Sequence, residues 1–145
     1  MQNCDYEHIM ESAGLRPSPV RVMVIKALDL AEGPISSADI ERVLETVDRS
    51  SIGRALTAMA ECGIVHTVDD GSGSMKFELC HCCGHCNVNH HNDLHPHFRC
   101  RICGKTFCFD LIDIPVIKLP DGFVGESINY VIKGTCPKCN RQKTQ

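Results

Sequence analysis

A chain of 145 residues and 16.0 kDa has room for one ordinary domain or for two small ones of about 70 residues each. Domains of the smaller size have thin cores and lean on a metal, a disulfide or a partner subunit; 11 cysteines and 8 histidines supply the means and set the chain apart from an average globular enzyme. The formal charge of −3 divides into 6 Lys and Arg against 12 Asp and Glu over residues 1–75, and 9 against 6 over residues 76–145, which argues against a strong non-specific polyanion binder.

The opening residues MQNCDYEHIM carry no basic, apolar and small-residue leader pattern, so a reducing cytoplasm is the expected setting for the cysteines. No apolar run approaches the ~20 residues of a membrane span. Residues 5–30 read as helix, with Tyr6, Ile9, Met10 and Ala13 at helical spacing and a break at Gly14. Ser18-Pro19 is an N-cap with proline in the first helical position, leading into Val20, Met23, Val24, Ala27 and Leu28 on one face, and Gly33-Pro34 ends the run. Ser36-Ser37-Ala38-Asp39 resembles a capping box, with Ile35 as its hydrophobic staple and Ile40, Val43, Leu44 and Val47 as the buried stripe. The next helix is expected from Ser50 or Ser51, through Ile52, Leu56, Met59 and Ala60, to Gly63. Ile64–Val68 and Met75–Leu79 are β-type runs around the turn-rich segment 69–74.

Helices followed by a two-stranded wing are the order of a winged helix-turn-helix, whose last helix enters the DNA major groove. Arg49, Ser51 and Arg54 lie in the first turns of that helix, and Arg16, Arg21 and Lys26 are placed to hold phosphates. The competing reading is an unspecialised helical domain with solvated arginines.

The second half is strands and ligands. His97–Arg101, Thr106–Phe109, Pro115–Leu119 and Ser127–Lys133 are strand candidates, giving a small, mainly antiparallel sheet, and Pro120-Asp121-Gly122 is a turn. Cys100 and Cys103, then Cys136 and Cys139, form paired CxxC knuckles. Two such turns present four sulfurs in a tetrahedron, the signature of structural zinc. Such a site contributes roughly 10–16 kcal/mol in small domains. From Cys80 to Cys108 there are 7 Cys and 6 His in 29 positions, more than one structural site consumes. Among these, Cys82, Cys83, His85, Cys86, His90 and His91 form either part of a second metal site or a metal-scavenging loop.

The sequence resembles the ferric uptake regulator (Fur) family of metal-sensing repressors from Gly14 to Cys139. The resemblance rests on Leu15-Arg16 with Arg21, on Arg54 to Leu56, on Gly63-Ile64-Val65 and on His95-Pro96-His97-Phe98-Arg99-Cys100-Arg101-Ile102-Cys103-Gly104. The branch of zinc uptake regulators is nearest. It implies an α+β chain with three parts: a winged-helix domain over 1–79, a Cys/His-rich hinge loop over 80–95, and a small α/β, mainly antiparallel-sheet dimerisation domain with the four-cysteine zinc over 96–145. It further implies a homodimer on double-stranded operator DNA. A sensor metal, a second zinc or iron, would be held by His66, Cys80, His95, His97 and Cys108, with Cys108 standing where some relatives carry a carboxylate. Thiolate and imidazole donors favour zinc over iron there.

The sequence departs from the family where a tyrosine is frequent in the recognition helix (Gly53), at Pro34, and at Thr135. It also departs over 110–127, which reads as strand and turn rather than a long helix. The reading is a zinc-responsive transcriptional repressor and not an enzyme. Alternatives are an iron or peroxide sensor, a zinc storage or delivery protein, and an iron–sulfur regulator using Cys80, Cys82, Cys83 and Cys86.

Overall fold

The computed structural model describes residues 5–80, 95–109, 111–126 and 128–143. The chain divides into two compact units, Met1–Asp93 and Leu94–Gln145.

In the first unit, α1 (Tyr6–Ser12) starts where the Asp5 side chain accepts from His8 N. It ends at Gly14, whose φ of +76° suits a residue without Cβ. Ser18 caps α2 (Pro19–Asp29) by accepting from Arg21 N at 3.3 Å. The short β1 (Ile35–Ser36) leads into α3 (Ser37–Leu44) through a complete capping box: Ser36 Oγ accepts from Asp39 N, and Asp39 accepts from Ser36 N at 2.9 Å. Helix α4 (Arg49–Glu61) begins one residue before the expected start, because Asp48 rather than a serine caps it, accepting from Ser51 N at 2.9 Å.

The wing is β2 (Val65–Val68) and β3 (Lys76–Leu79), antiparallel, with β1 on the far edge of β3. Ile35, expected only as a staple, also pairs with Phe77 across β1 and β3. Helices and wing close over Met10, Val24, Ile25, Ile40, Ile52, Leu56, Met59 and Val65, all at most 2% exposed. Val43, expected in the buried stripe of α3, is exposed, and Leu44 is only partly buried. At the wing's end the fully buried Asp70 pairs with Lys76 at 2.7 Å and accepts from Ser72 N, so the charge taken out of water keeps its partners.

The second unit is a three-stranded sheet in the order β5-β4-β6: β4 (His97–Cys100), β5 (Thr106–Cys108) and β6 (Val131–Gly134). β4 and β5 are antiparallel, whereas β4 and β6 run parallel. The sheet is therefore mixed, a consequence of the crossover between residues 109 and 131. Helix α5 (Pro137–Lys143), absent from the sequence reading, follows. The run Pro115–Leu119 is not a strand, and only the end of Ser127–Lys133 pairs. Pro115 and Pro120 remove ladder donors at both ends of the first run, and its Val116 and Ile117 are exposed. Among the described residues, no helix is long and apolar enough to cross a membrane.

Candidate metal centres and nucleic-acid interface

In the second unit, the turn after β4 carries Cys100 and Cys103, and the chain leaving β6 into α5 carries Cys136 and Cys139. Gly104, at φ +73°, tightens the first knuckle, with its N–H donating to Cys100 O at 3.0 Å. The first turn of α5 forms the second, where Asn140 N donates to Cys136 O at 2.8 Å. The parallel register sets Cys100 beside Gly134 and brings the knuckles together.

All four sulfurs lie within 4.8 Å of one another, and Cys103 Sγ is 3.9 Å from Cys136 Sγ. A tetrahedron with metal–sulfur bonds of zinc-site length has edges of roughly 3.8 Å. Cys100, Cys136 and Cys139 are buried and Cys103 is exposed. Cys136 N donates to Cys100 Sγ at 3.3 Å.

Backbone N–H groups of Cys103 and Cys136 pull the Cys100 thiol down to about 6, whereas burial and the neighbouring thiols push Cys139 up to about 12. The thiolate is thus favoured at Cys100 and disfavoured at Cys139. Four sulfurs at this spacing fit a dication, which would tie the sheet to α5.

The residues expected at a sensor metal divide between the units. In the first unit, the β2–β3 register sets His66 opposite Glu78, with Nε2 3.0 Å from Glu78 Oε2. Cys80 lies two residues beyond Glu78, on the same side of the ladder. Its Sγ is 3.5 Å from His66 Nδ1, and its N–H donates to Ile64 O. One imidazole thus stands between a carboxylate and a thiol.

Glu78 is only 6% exposed, and the sequence reading omits it. Counting outward from the hairpin segment 69–74 sets position 66 opposite Phe77; the observed register, with Val68 opposite Lys76, is one residue longer and sets it opposite Glu78. In the second unit, His97 faces Cys108 across β4 and β5, and the rings of His95 and His97 lie 4.6 Å apart. Cys82, Cys83, His85, Cys86, His90 and His91 lie outside the described residues.

Of the residues expected at DNA, Arg49, Ser51 and Arg54 lie on α4, and Arg16 and Arg21 at the turn into α2. Arg54 is exposed and its guanidinium donates to Ser51 Oγ at 3.1 Å; Ser51 Oγ in turn donates to Asp48 Oδ1 at 2.7 Å. Hydrogen bonds from the Ser51 side chain and backbone hold the Asp48 carboxyl below its ordinary value. Ser51 therefore braces the Asp48 cap and also orients Arg54. Arg49 is paired with Glu41 of α3, with Nε at 2.9 Å from Oε2. Arg21 donates to the Arg16 carbonyl at 2.6 Å, bracing the turn into α2 while the Arg16 side chain stays exposed.

A polar-faced helix beside a wing, followed by a unit tied by four thiols, defines a winged-helix metalloregulator. The ferric uptake regulator family model matches residues 12–119, and the chain belongs to that family. No curated protein matches it significantly by sequence.

Solved structures share the fold. A zinc uptake regulator complexed with zinc and DNA aligns with a TM-score of 0.64 and 21% identity, over 96% of this chain and 93% of that one. The ferric uptake regulator of Vibrio cholerae aligns with a TM-score of 0.63 and 18% identity, over 91% of this chain and 100% of that one. A zinc-bound manganese uptake regulator aligns with a TM-score of 0.62 and 15% identity, over 90% and 98%.

Proposed function

We propose that this protein is a cytoplasmic, zinc-responsive transcriptional repressor that binds double-stranded operator DNA as a homodimer when an exchangeable sensor metal is bound, and that it is not an enzyme. The observation that carries the reading is the pairing of His66 with the Cys80 thiol at 3.5 Å: soft donors gathered beside the wing, apart from the four-cysteine cluster. The proposed division of labour has a structural zinc on Cys100, Cys103, Cys136 and Cys139, and a sensor zinc drawing on His66, Cys80, His95, His97 and Cys108. The relative solved with zinc and DNA supports the same chemistry here.

Arg54, with Arg16, Arg21, Arg49 and Ser51, forms the proposed DNA face. Dimerisation is proposed for the second unit, where Leu111, Val116, Phe123 and Val124 are 70–94% exposed, more apolar surface than a lone small unit usually shows. Residues 80–95 are proposed as the hinge between a DNA-binding part at 1–79 and a dimerising part at 96–145.

A second reading has one observation in its favour. Glu78 brings a hard oxygen donor to His66, which suits ferrous iron better than a thiol does. Operator binding titrated with zinc and with ferrous iron, on wild type, Cys80→Ser, Glu78→Gln and His97→Ala, tests both.

The zinc reading expects Cys80→Ser and His97→Ala to remain dimeric, keep one tightly held zinc per chain, and lose zinc-dependent DNA binding. Dependence on iron, abolished by Glu78→Gln and indifferent to Cys80→Ser, selects the second reading. DNA binding by metal-free protein would refute the switch. Metal binding with no DNA binding at all would leave storage or delivery as the function.

A further inference from the structure

Helix α4 has a glycine in its fifth position that the fold itself does not use. Gly53 is neither in a turn nor at a positive φ. Among the described residues, a Cβ built on it meets nothing within 4 Å beyond its chain neighbours and the backbone of its own helix. Glycine is the poorest helix former after proline, because the unfolded chain loses more freedom there than at alanine. A mid-helix glycine that stabilises no packing and permits no close approach within the chain is costly to the folded state and unexplained by it. Among the described residues nothing enters the space beside it, which leaves that space open to a partner from outside the chain.

The surroundings say which approach. The helix buries Ile52, Ala55, Leu56 and Met59. Ser50, Arg54 and Thr57 are exposed. Gly53 stands between the buried stripe and this polar face, next to the arginine whose guanidinium is oriented by Ser51. Resting on the DNA-binding reading above, we propose that Gly53 is a specificity-determining position. Its bare backbone lets α4 sit deeper in the major groove, so that a base edge occupies the space a side chain would fill, and Arg54 and Thr57 reach bases at that depth. The ligand is a duplex DNA edge, read by steric fit at Gly53 and by hydrogen bonds from its neighbours.

Two readouts of opposite sign separate this from a structural role. The probe is a randomised duplex pool, taken through rounds of selection by the zinc-loaded full chain, with an unselected duplex as reference. Gly53→Ala should raise the thermal midpoint by about 3–6 °C. The same variant should bind the duplex enriched by wild type about tenfold more weakly, with its affinity for unselected duplex within about twofold of wild type. Gly53→Met should lose more, and selection with either variant should return a different preferred sequence. The proposal is overturned if Gly53→Ala binds the enriched duplex as tightly as wild type, or if it lowers the midpoint, which would mean the fold needs the glycine. Arg54→Ala distinguishes the two levels: weak binding by Arg54→Ala with wild-type binding by Gly53→Ala sinks this inference alone. Failure of wild type to enrich any sequence sinks the DNA-binding reading and this inference with it.

Discussion

Cys136→Ser removes one of the four thiols around which the second unit is built. In the first unit, Met10, Val24, Ile25, Ile40, Ile52, Leu56 and Met59 are 0–1% exposed. At about 1.5–3 kcal/mol each, they supply ~10–20 kcal/mol of gross apolar stabilisation. The second unit offers a different inventory among its described residues: the buried cluster is Cys100, Cys136 and Cys139, flanked by the partly buried Phe98 and Phe107. Two half-buried rings contribute roughly 3 kcal/mol, whereas a four-thiolate zinc contributes roughly 10–16 kcal/mol. The proposed metal would therefore outweigh the apolar cluster among the described residues of this unit several-fold.

Cys136→Ser is expected to lower the tightly held zinc by one equivalent per chain. It should also unfold the second unit while the first persists. Metal analysis gives the stoichiometry. Hydrogen exchange read by mass spectrometry should show β4, β5 and β6 losing protection while α2 and α4 keep theirs. A variant that retains its zinc equivalent and protects β4 as wild type does would refute the assignment of these four cysteines.

Arg54→Ala should weaken operator binding by ~1–3 kcal/mol, with metal content unchanged, as measured by fluorescence anisotropy; equal loss on random DNA would make Arg54 a phosphate contact. Lys26→Ala should weaken all duplexes alike and flatten the salt dependence, if this exposed lysine holds a phosphate. Ser36→Ala removes the hydroxyl arm of the capping box and leaves the backbone N–H of residue 36 on Asp39, and it should cost the first unit about 1 kcal/mol in urea unfolding, with no change confined to the second unit. The Asp39 carboxyl is raised by partial burial, but hydrogen bonds from Ser36 and the charge of Arg42 outweigh that and leave it below 3.8. Its contribution to stability is therefore complete above 3.8 and lost as pH falls through the lower folded value, so Asp39→Asn should flatten the acid limb of the unfolding profile.

Much of the first unit could be read from local chemistry. Ser18-Pro19, the Ser36–Asp39 box and Gly63 mark helix boundaries through hydrogen bonds made within a few residues, and those bonds are present in the structure. Asp48 escaped notice because Ser50 and Ser51 offer the same capping chemistry two residues later. Strand β1 escaped because two residues have no periodicity, and its existence depends on β3, some 40 positions away. In the second unit the knuckle spacing announced itself, and the quartet assembled. The parallel partner of β4 did not, since nothing local distinguishes a strand that returns parallel from one that returns antiparallel. Pro115–Leu119 looked like a strand by composition, but composition says nothing about whether a neighbouring edge is there to receive it. Glu78 was missed because the turn expected over 69–74 sets Phe77 opposite His66, and the one-residue shift that brings Glu78 there depends on how the hairpin closes, which composition does not fix.

The parallel pairing of β4 with β6 has a consequence in time. In the first unit's helical layer the caps close within a few residues and α1 reaches the end of α2 through the Tyr6–Asp29 hydrogen bond across 23 positions, and helical layers of this kind assemble fast. The second unit can close only after the chain from residue 109 to 131 has travelled the length of the sheet and carried Cys136 to Cys100, a separation of 36 residues. Loop closure of that span is opposed by entropy until something ties its ends. With the proposed zinc on the four thiols, the two halves of the molecule would run on different clocks: the first set by the chain itself, and the second by how soon an ion arrives. On that proposal, a cell short of the metal would accumulate chains with a finished helical half and an open sheet, and if dimers form through the second unit as proposed, the supply of active protein would follow metal history over its lifetime.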